Sequence, residues 1–154
     1  MSMQKAVAWR NRLRRSGLKL VVTNGCFDLL HRGHAEYLSR ARELGDVLLV
    51  FINSDSSVRK VKGRNRPIVN EKDRAFLLAS LSCVDAVVIF GTSDCVGLFS
   101  KIKPDTYVKG GDYDIDSIVQ EERVVLEAAG SKIKFIKFVP GLSTTDILAR
   151  ISKG

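Results

Sequence analysis

The chain has 154 residues, 45% of them hydrophobic and 27% charged, which is the composition of one globular domain and excludes a disordered chain. No apolar run approaches the ~20 residues that span a bilayer, and the first residues lack the apolar segment of a secretory signal, so we expect a soluble, cytoplasmic protein that binds no membrane. The net charge of +8 indicates an anionic partner; because aromatic residues do not alternate with the basic ones, we expect small phosphorylated ligands and no nucleic acid.

The predicted elements alternate between apolar β-rich runs and segments of helical period, as in a sheet with crossover helices. An amphipathic helix over 4–15 comes first and is expected outside the main unit, which gives an N-terminal helix over 1–17 and a domain over 18–154. Strands are predicted at 19–23, 47–53, 85–90, 106–109 and 132–138. Helices are predicted at 35–44, 71–81, 93–102, 117–129 and from 144 or 145 to 151, with Gly45 as the C-cap of the first and a basic loop over 53–67.

Continuous apolar runs such as VLLVFI are typical of parallel strands that are buried on both faces. Five such strands with right-handed crossovers predict an α/β fold, a single doubly wound, Rossmann-like parallel sheet with flanking helices. Ligands of these sheets bind beyond the carboxyl ends of the strands, where the strand order reverses. The motifs described next all follow predicted strands, so we expect one ligand site at that edge.

The strongest motif is TNGCFDLLHRGH, at 23–34, which joins the first strand to a helix. Gly25 permits a tight turn, and the helix start offers free N–H groups and a positive dipole end to an anion. His31 and His34 are the only histidines of the chain and flank Gly33, which favours a shared phosphate pocket. A zinc site is the rival interpretation, but the three cysteines are scattered and form no CxxC pair, so we predict no protein metal site.

The string His31-Arg32-Gly33-His34 resembles the HxGH signature of the nucleotidyltransferase superfamily, and the resemblance extends over about 18–151. It is closest to the bacterial heptose 1-phosphate adenylyltransferases, which make the ADP-heptose precursor of cell-surface glycans. That activity is often fused behind a sugar kinase, and we expect a stand-alone form here. The resemblance implies transfer of AMP from ATP to a sugar 1-phosphate, Mg²⁺ accompanying ATP, and a homo-oligomer such as a dimer.

The resemblance also implies the roles of individual residues. His31 and His34 would act on the α-phosphate, and Lys62, which precedes Gly63 in the basic loop, would contact the phosphates. Two later strings extend the match: KGGDY, at 109–113, resembles the heptose branch, and GLSTT, at 141–145, resembles the GxSTT signature, although Ser or Thr there also suits a helix N-cap. The implied nucleotide contacts are Thr23, Asn24, Gly25, Cys26, Phe27, Gly33, Lys109, Gly110, Asp112, Ser143, Thr144 and Thr145. The implied substrate contacts are Asp28, Arg74, Gly111 and Tyr113, with Asp28 on the sugar or the metal.

Three alternatives stay open. One is a cytidylyltransferase acting on glycerol phosphate or a similar phosphorylated alcohol, although Phe138 stands where those relatives carry an arginine. The second is a non-catalytic nucleotide-binding module, and the third is a nucleic-acid binder suggested only by the charge. Neither GxGxxG nor GxxxxGK[ST] occurs, which disfavours a dinucleotide-dependent redox enzyme and a P-loop NTPase.

Overall fold

The computed structural model describes residues 1–111, 113–137 and 143–153, so the predictions for Asp112, Phe138 and Gly141 lie outside the described residues. The strands are β1 (Leu20–Gly25), β2 (Val47–Asn53), β3 (Ala86–Phe90), β4 (Thr106–Gly110) and β5 (Lys132–Ile136). The helices are α1 (Met3–Arg15), α2 (Arg32–Arg42), α3 (Asp55–Lys62), α4 (Glu71–Ala79), α5 (Val96–Ile102), α6 (Gln120–Ala128) and α7 (Thr144–Ile151).

The five strands form one parallel sheet with the order β3-β2-β1-β4-β5, which confirms the predicted doubly wound α/β fold. Strand β2 is buried at its five interior positions because helices cover both faces of the sheet. From β1 the chain builds outward to β2 and β3 and then returns to place β4 on the other side of β1. The carboxyl ends of β1 and β4 therefore border the crevice at which such sheets bind ligands.

A hydrophobic core lies on each face of the sheet. One includes Leu13 of α1, Phe99 of α5 and Leu126 of α6, and the other includes Leu38 of α2 and Leu78 of α4. Alternate residues of β1 and β2 contribute to the two cores, as the period of a strand requires. None of the described helices is both long and apolar enough to cross a bilayer.

Helix α1 packs firmly on the sheet. Arg10 is 3% exposed and donates to the Asp105 carboxylate at 2.8 Å and to the carbonyl groups of Ile102 and Lys103. Asp105 in turn accepts the backbone N–H of Leu20, at the start of β1, at 2.7 Å. One partly buried ion pair thus joins the first helix to the amino ends of β1 and β4, at the edge of the sheet opposite to the crevice. The predicted domain boundary after residue 17 stays a prediction.

The prediction of a loop over 53–67 is wrong for its first half, because residues 55–62 form α3. Ser54 caps this helix by accepting the N–H of Ser57 at 3.3 Å, and Ser57 and Val58 are buried. The run of basic residues therefore forms an amphipathic helix whose basic side chains are exposed.

Gly45 does not cap α2, since that helix ends at Arg42 and Glu43 is its C-cap. Gly45 instead passes close to the first strand. A Cβ atom at this position would come within 2.9 Å of the Lys19 carbonyl oxygen and 2.7 Å of Val21 Cγ2. The glycine is required for this close approach rather than for the end of the helix.

Candidate active site

A cavity of about 410 Å³ opens beyond the carboxyl ends of β1 and β4. It is bordered by the β1–α2 turn, α3 with the segment that follows it, the end of β4, the start of α6 and the start of α7. Most of the predicted site residues line it, namely Asn24, Gly25, Cys26, Phe27, Asp28, His31, Gly33, His34, Lys62, Lys109, Gly110, Tyr113, Ser143, Thr144 and Thr145. The structure therefore brings motifs that are far apart in the sequence into a single cavity.

Three other predicted contacts are described but lie off the cavity surface. Thr23 is fully buried, and its hydroxyl pairs with the Tyr37 hydroxyl at 2.6 Å. Gly111 donates its N–H to the Ile136 carbonyl at 3.0 Å, which continues the pairing of β4 with β5. Arg74, the third, is described below.

The two histidines form a stacked pair at the start of α2. His31 is the N-cap residue, and the two ring centroids are 3.9 Å apart with an interplanar angle of 26°. The backbone N–H of His31 donates to His34 Nδ1 at 3.4 Å, so a neutral His34 carries its proton on Nε2 and can donate from there. His31 Nδ1 is buried and has no hydrogen-bond partner among the described residues. The pair thus holds unused hydrogen-bonding capacity at the cavity.

Both imidazoles are neutral near pH 7. Burial lowers the pKa of His34 to about 4; a proton on His31 would lower it further, the Lys62 ammonium lowers it as well, and Asp28 opposes these effects. Burial likewise lowers the pKa of His31, against the carboxylate of Asp146. The histidines can therefore donate hydrogen bonds without adding charge, and the cations that line the described cavity are lysine and arginine side chains.

Asp28 lies between two residues with left-handed backbone, Phe27 with φ of 49° and Leu29 with φ of 48°. This conformation is costly for residues other than glycine and points to a functional constraint on the turn. The Asp28 carboxylate is 3% exposed and accepts the backbone N–H groups of Ile68 and Val69, each at 2.9 Å. The acid therefore fastens the segment after α3 to the β1–α2 turn.

The start of α7 closes another side of the cavity. Ser143 caps the helix by accepting the N–H of Asp146 at 3.1 Å, as the sequence predicts for an N-cap. The Thr144 hydroxyl donates to the backbone carbonyl of Asp28 at 2.8 Å. The GxSTT-like segment and the HxGH turn are thus directly connected, and the positive end of α7 lies at the cavity.

Arg74 is 1% exposed and is used entirely within the protein. Its guanidinium donates to the carbonyl of Cys26, to that of Asn53 at 2.8 Å and to that of Val69 at 2.9 Å, and it pairs with the Asp55 carboxylate at 2.8 Å. These partners belong to three segments that surround the cavity. Arg74 positions the walls of the site, and its predicted contact with substrate stays a prediction.

A partly buried polar cluster at the end of β4 joins the predicted residues Asn24 and Lys109 to two that were not predicted, Tyr107 and Glu122. Asn24 Oδ1 accepts from the Tyr107 hydroxyl at 2.8 Å and from Lys109 Nζ at 3.3 Å. Glu122, which is 4% exposed and lines the cavity, accepts the N–H of Cys95 at 2.7 Å. Burial raises the pKa of Glu122, while Lys109 opposes the shift. The sequence offers no local signal for Glu122, because two acids begin α6 and only burial separates the second from the first.

The comparisons with known proteins agree with this geometry. A family model described as Cytidylyltransferase-like matches residues 22–150. The chain therefore belongs to the cytidylyltransferase-like family of the nucleotidyltransferase superfamily, and it is an enzyme of that class. The predicted membership in this superfamily is confirmed.

The particular proteins that it resembles include curated relatives named Bifunctional protein HldE. The chain is 49% identical over 141 residues to HldE of Helicobacter pylori strain J99, which covers 92% of this chain and 29% of the relative. It is 49% identical over 135 residues to HldE of Citrifermentans bemidjiense, covering 88% and 27%. The chain thus spans less than a third of the length of these relatives.

Two solved structures share the fold. The lipopolysaccharide core biosynthesis protein from Thermoplasma volcanium GSS1 has a TM-score of 0.65 and 30% identity, with coverage of 80% of this chain and 98% of that one. The pantoate-beta-alanine ligase from Francisella tularensis, complexed with beta-gamma ATP and beta-alanine, has a TM-score of 0.58 and 16% identity, with coverage of 98% and 75%. The second likeness concerns the fold alone.

Proposed function

We propose that the chain transfers AMP from ATP to a sugar 1-phosphate, heptose 1-phosphate, and releases pyrophosphate by direct in-line displacement. The observation that carries the proposal is the stacked, neutral His31–His34 pair beside Lys62 in the crevice of the sheet. Two further observations support heptose 1-phosphate as the acceptor. The KGGDY string resembles the heptose branch. The solved structure that is 30% identical to the chain is of a protein named for lipopolysaccharide core biosynthesis.

In the proposed reaction, an oxygen of the sugar 1-phosphate attacks the α-phosphorus of ATP, and the bond from that phosphorus to the pyrophosphate oxygen breaks. The attacking oxygen is already anionic at neutral pH, so the step needs no general base. The two neutral histidines can therefore serve as hydrogen-bond donors. Catalysis then depends on placing two anions together and on stabilising charge as it moves to the leaving group.

The side chains divide this work. His34 donates from Nε2 to the α-phosphate, and His31 adds a second hydrogen bond beside it. Lys62, at the end of α3, neutralises the leaving pyrophosphate. The start of α7 contributes free N–H groups, and Thr145 contributes a hydroxyl, for the nucleotide phosphates. The Ser143 hydroxyl is itself bonded to Asp146.

Mg²⁺ is expected to arrive with ATP, and the described residues do not fit a protein-held metal site. No group of three or more histidine, cysteine, aspartate or glutamate side chains converges in the described part of the chain. The one buried acid of the HxGH turn, Asp28, already accepts two backbone N–H groups. Oxygen atoms of the nucleotide and of water would therefore be the ligands of Mg²⁺, which commonly keeps several water ligands in proteins. The roles given above to the side chains do not depend on the metal.

We also propose that the enzyme works in the cytoplasm, where ATP is available, and that it forms a homo-oligomer such as a dimer. Light scattering of the purified protein would test the second point, and a monomeric mass at micromolar concentration would contradict it.

The function is tested by incubating the protein with each of ATP, CTP and GTP against heptose 1-phosphate, a hexose 1-phosphate and glycerol 3-phosphate, and measuring pyrophosphate. We expect release with ATP and a sugar 1-phosphate. Turnover with CTP and glycerol 3-phosphate would favour the cytidylyltransferase instead, and tight ATP binding with no turnover would favour a binding module. Isolation of a nucleotidyl-enzyme intermediate would contradict the direct displacement.

A further inference from the structure

We propose that Arg66 binds the phosphate of the acceptor substrate and that Asp28 holds the Arg66 guanidinium in place for it. The identity of the acceptor rests on the proposed function, whereas the anion site itself rests on the geometry. Arg66 lies in the segment between α3 and α4, and its neighbours in the sequence, Arg64 and Ile68, are exposed.

Arg66 lines the cavity with a side chain that is only 14% exposed, unlike Arg64, the other basic residue of its segment. Its Nη1 atom is buried and has no hydrogen-bond partner among the described residues. A buried, charged donor without a hydrogen-bond partner is unfavourable, so such an atom at a cavity indicates that a ligand supplies the missing acceptor. The guanidinium is suited to phosphate because it can donate two parallel hydrogen bonds.

The guanidinium forms an ion pair with the Asp28 carboxylate, with Arg66 Nη1 3.4 Å from Asp28 Oδ2. Both carboxylate oxygens already accept backbone N–H groups, from Ile68 and Val69. Asp28 therefore balances the charge of Arg66 without taking its donors. Since the Asp28 carboxylate accepts two backbone N–H groups and its backbone carbonyl accepts the Thr144 hydroxyl, Asp28 is anchored and gives Arg66 a fixed support.

The other cations of the described cavity are less suited to the acceptor. Lys62 is assigned to the leaving pyrophosphate. Lys109 donates to Asn24 Oδ1 and lies 5.3 Å from the centre of the Tyr113 ring, with the buried Glu122 carboxylate nearby. Arg66 is the cation of the described cavity that has a buried donor to spare. It can therefore bind a second anion while the histidines and Lys62 hold the nucleotide.

The test compares Arg66→Met with a matched control, Arg64→Met, which removes the same charge from an exposed position two residues away. Steady-state kinetics would be measured with the best nucleotide and acceptor found for the wild type. We expect Arg66→Met to raise the KM for the acceptor phosphate at least about tenfold and to change the KM for the nucleotide less than about twofold. Arg64→Met should change neither, and Arg66→Lys should fall between the wild type and Arg66→Met because it keeps the charge without the paired donors.

A rise in the nucleotide KM with an unchanged acceptor KM would overturn the assignment, as would equal effects of the two methionine variants. Circular dichroism would establish that each variant is folded, and Arg66→Lys carries the comparison if Arg66→Met is not. If glycerol 3-phosphate is the acceptor, the proposed function fails while the same comparison still tests Arg66. If nothing turns over, calorimetric titration with inorganic phosphate replaces KM, and equal affinity in the wild type and Arg66→Met would refute the site.

Discussion

Replacing Arg74 with methionine distinguishes two possible roles of this residue. It either contacts the substrate or positions the walls of the cavity, and we expect the second. The side chain is 1% exposed, and its loss would leave three carbonyl groups and the Asp55 carboxylate without a charged donor. Breaking a buried ion pair by removing one partner costs about 3–5 kcal/mol. Because Asp55 is 23% exposed and water can reach it, we expect the lower end, about 3 kcal/mol of unfolding free energy.

The measurement is urea unfolding followed by circular dichroism, with Lys72→Met as the control. Lys72 lies on the same helix, is exposed and makes no ion pair in the described residues, so its replacement should change the unfolding free energy by less than about 0.5 kcal/mol. If Arg74→Met unfolds at the wild-type urea concentration while the KM for one substrate rises tenfold or more, the positioning role is refuted. The substrate contact predicted from the sequence would then be correct.

Three further predictions concern the histidine pair, the lysine of α3 and the packing of the sheet. The pKa of His34 is about 4 in the folded protein and near 6.5 in the unfolded chain, so the unfolded state binds more protons between those pH values. The free energy of unfolding should therefore fall by about 3 kcal/mol as the pH drops from 6.5 to 4. In urea titrations, His34→Gln should lose that part of the pH dependence. Lys62→Met should lower kcat for pyrophosphate release by about a hundredfold, whereas Lys60→Met, on the same helix but off the cavity, should not; equal effects would remove Lys62 from the site. Gly45→Ala should lose about 1–3 kcal/mol of stability with kcat unchanged, because its Cβ would meet the first strand, while Gly97→Ala has open space and should lose none.

The fold could be predicted because its signals are local. The apolar run of β2 indicates a strand buried on both faces, and a glycine-containing turn followed by a helix marks the end of β1. The HxGH turn locates the site, because the carboxyl ends of β1 and β4 meet at one edge of the sheet whatever the details of the loops.

The remaining features depend on contacts between distant segments. Nothing near Arg66 distinguishes it from Arg64, and only the fold buries one and exposes the other. From the sequence, Arg74 resembles a surface arginine of a helix, but in the structure three segments surround it. Helix α3 is predicted as a loop because most of its residues are polar or charged. In each case the sequence supplies the residue type, while tertiary packing decides its surroundings and therefore its role.

The central claim is that His34 donates a hydrogen bond to an oxygen of the α-phosphate, the group at which substitution takes place. The most direct test is the kcat for pyrophosphate release by His34→Ala at saturating concentrations of both substrates. Loss of one such donor costs about 2–4 kcal/mol, so we expect kcat to fall by about 30-fold to 1000-fold while the circular dichroism spectrum stays that of the wild type. A kcat within about threefold of the wild type would contradict the account.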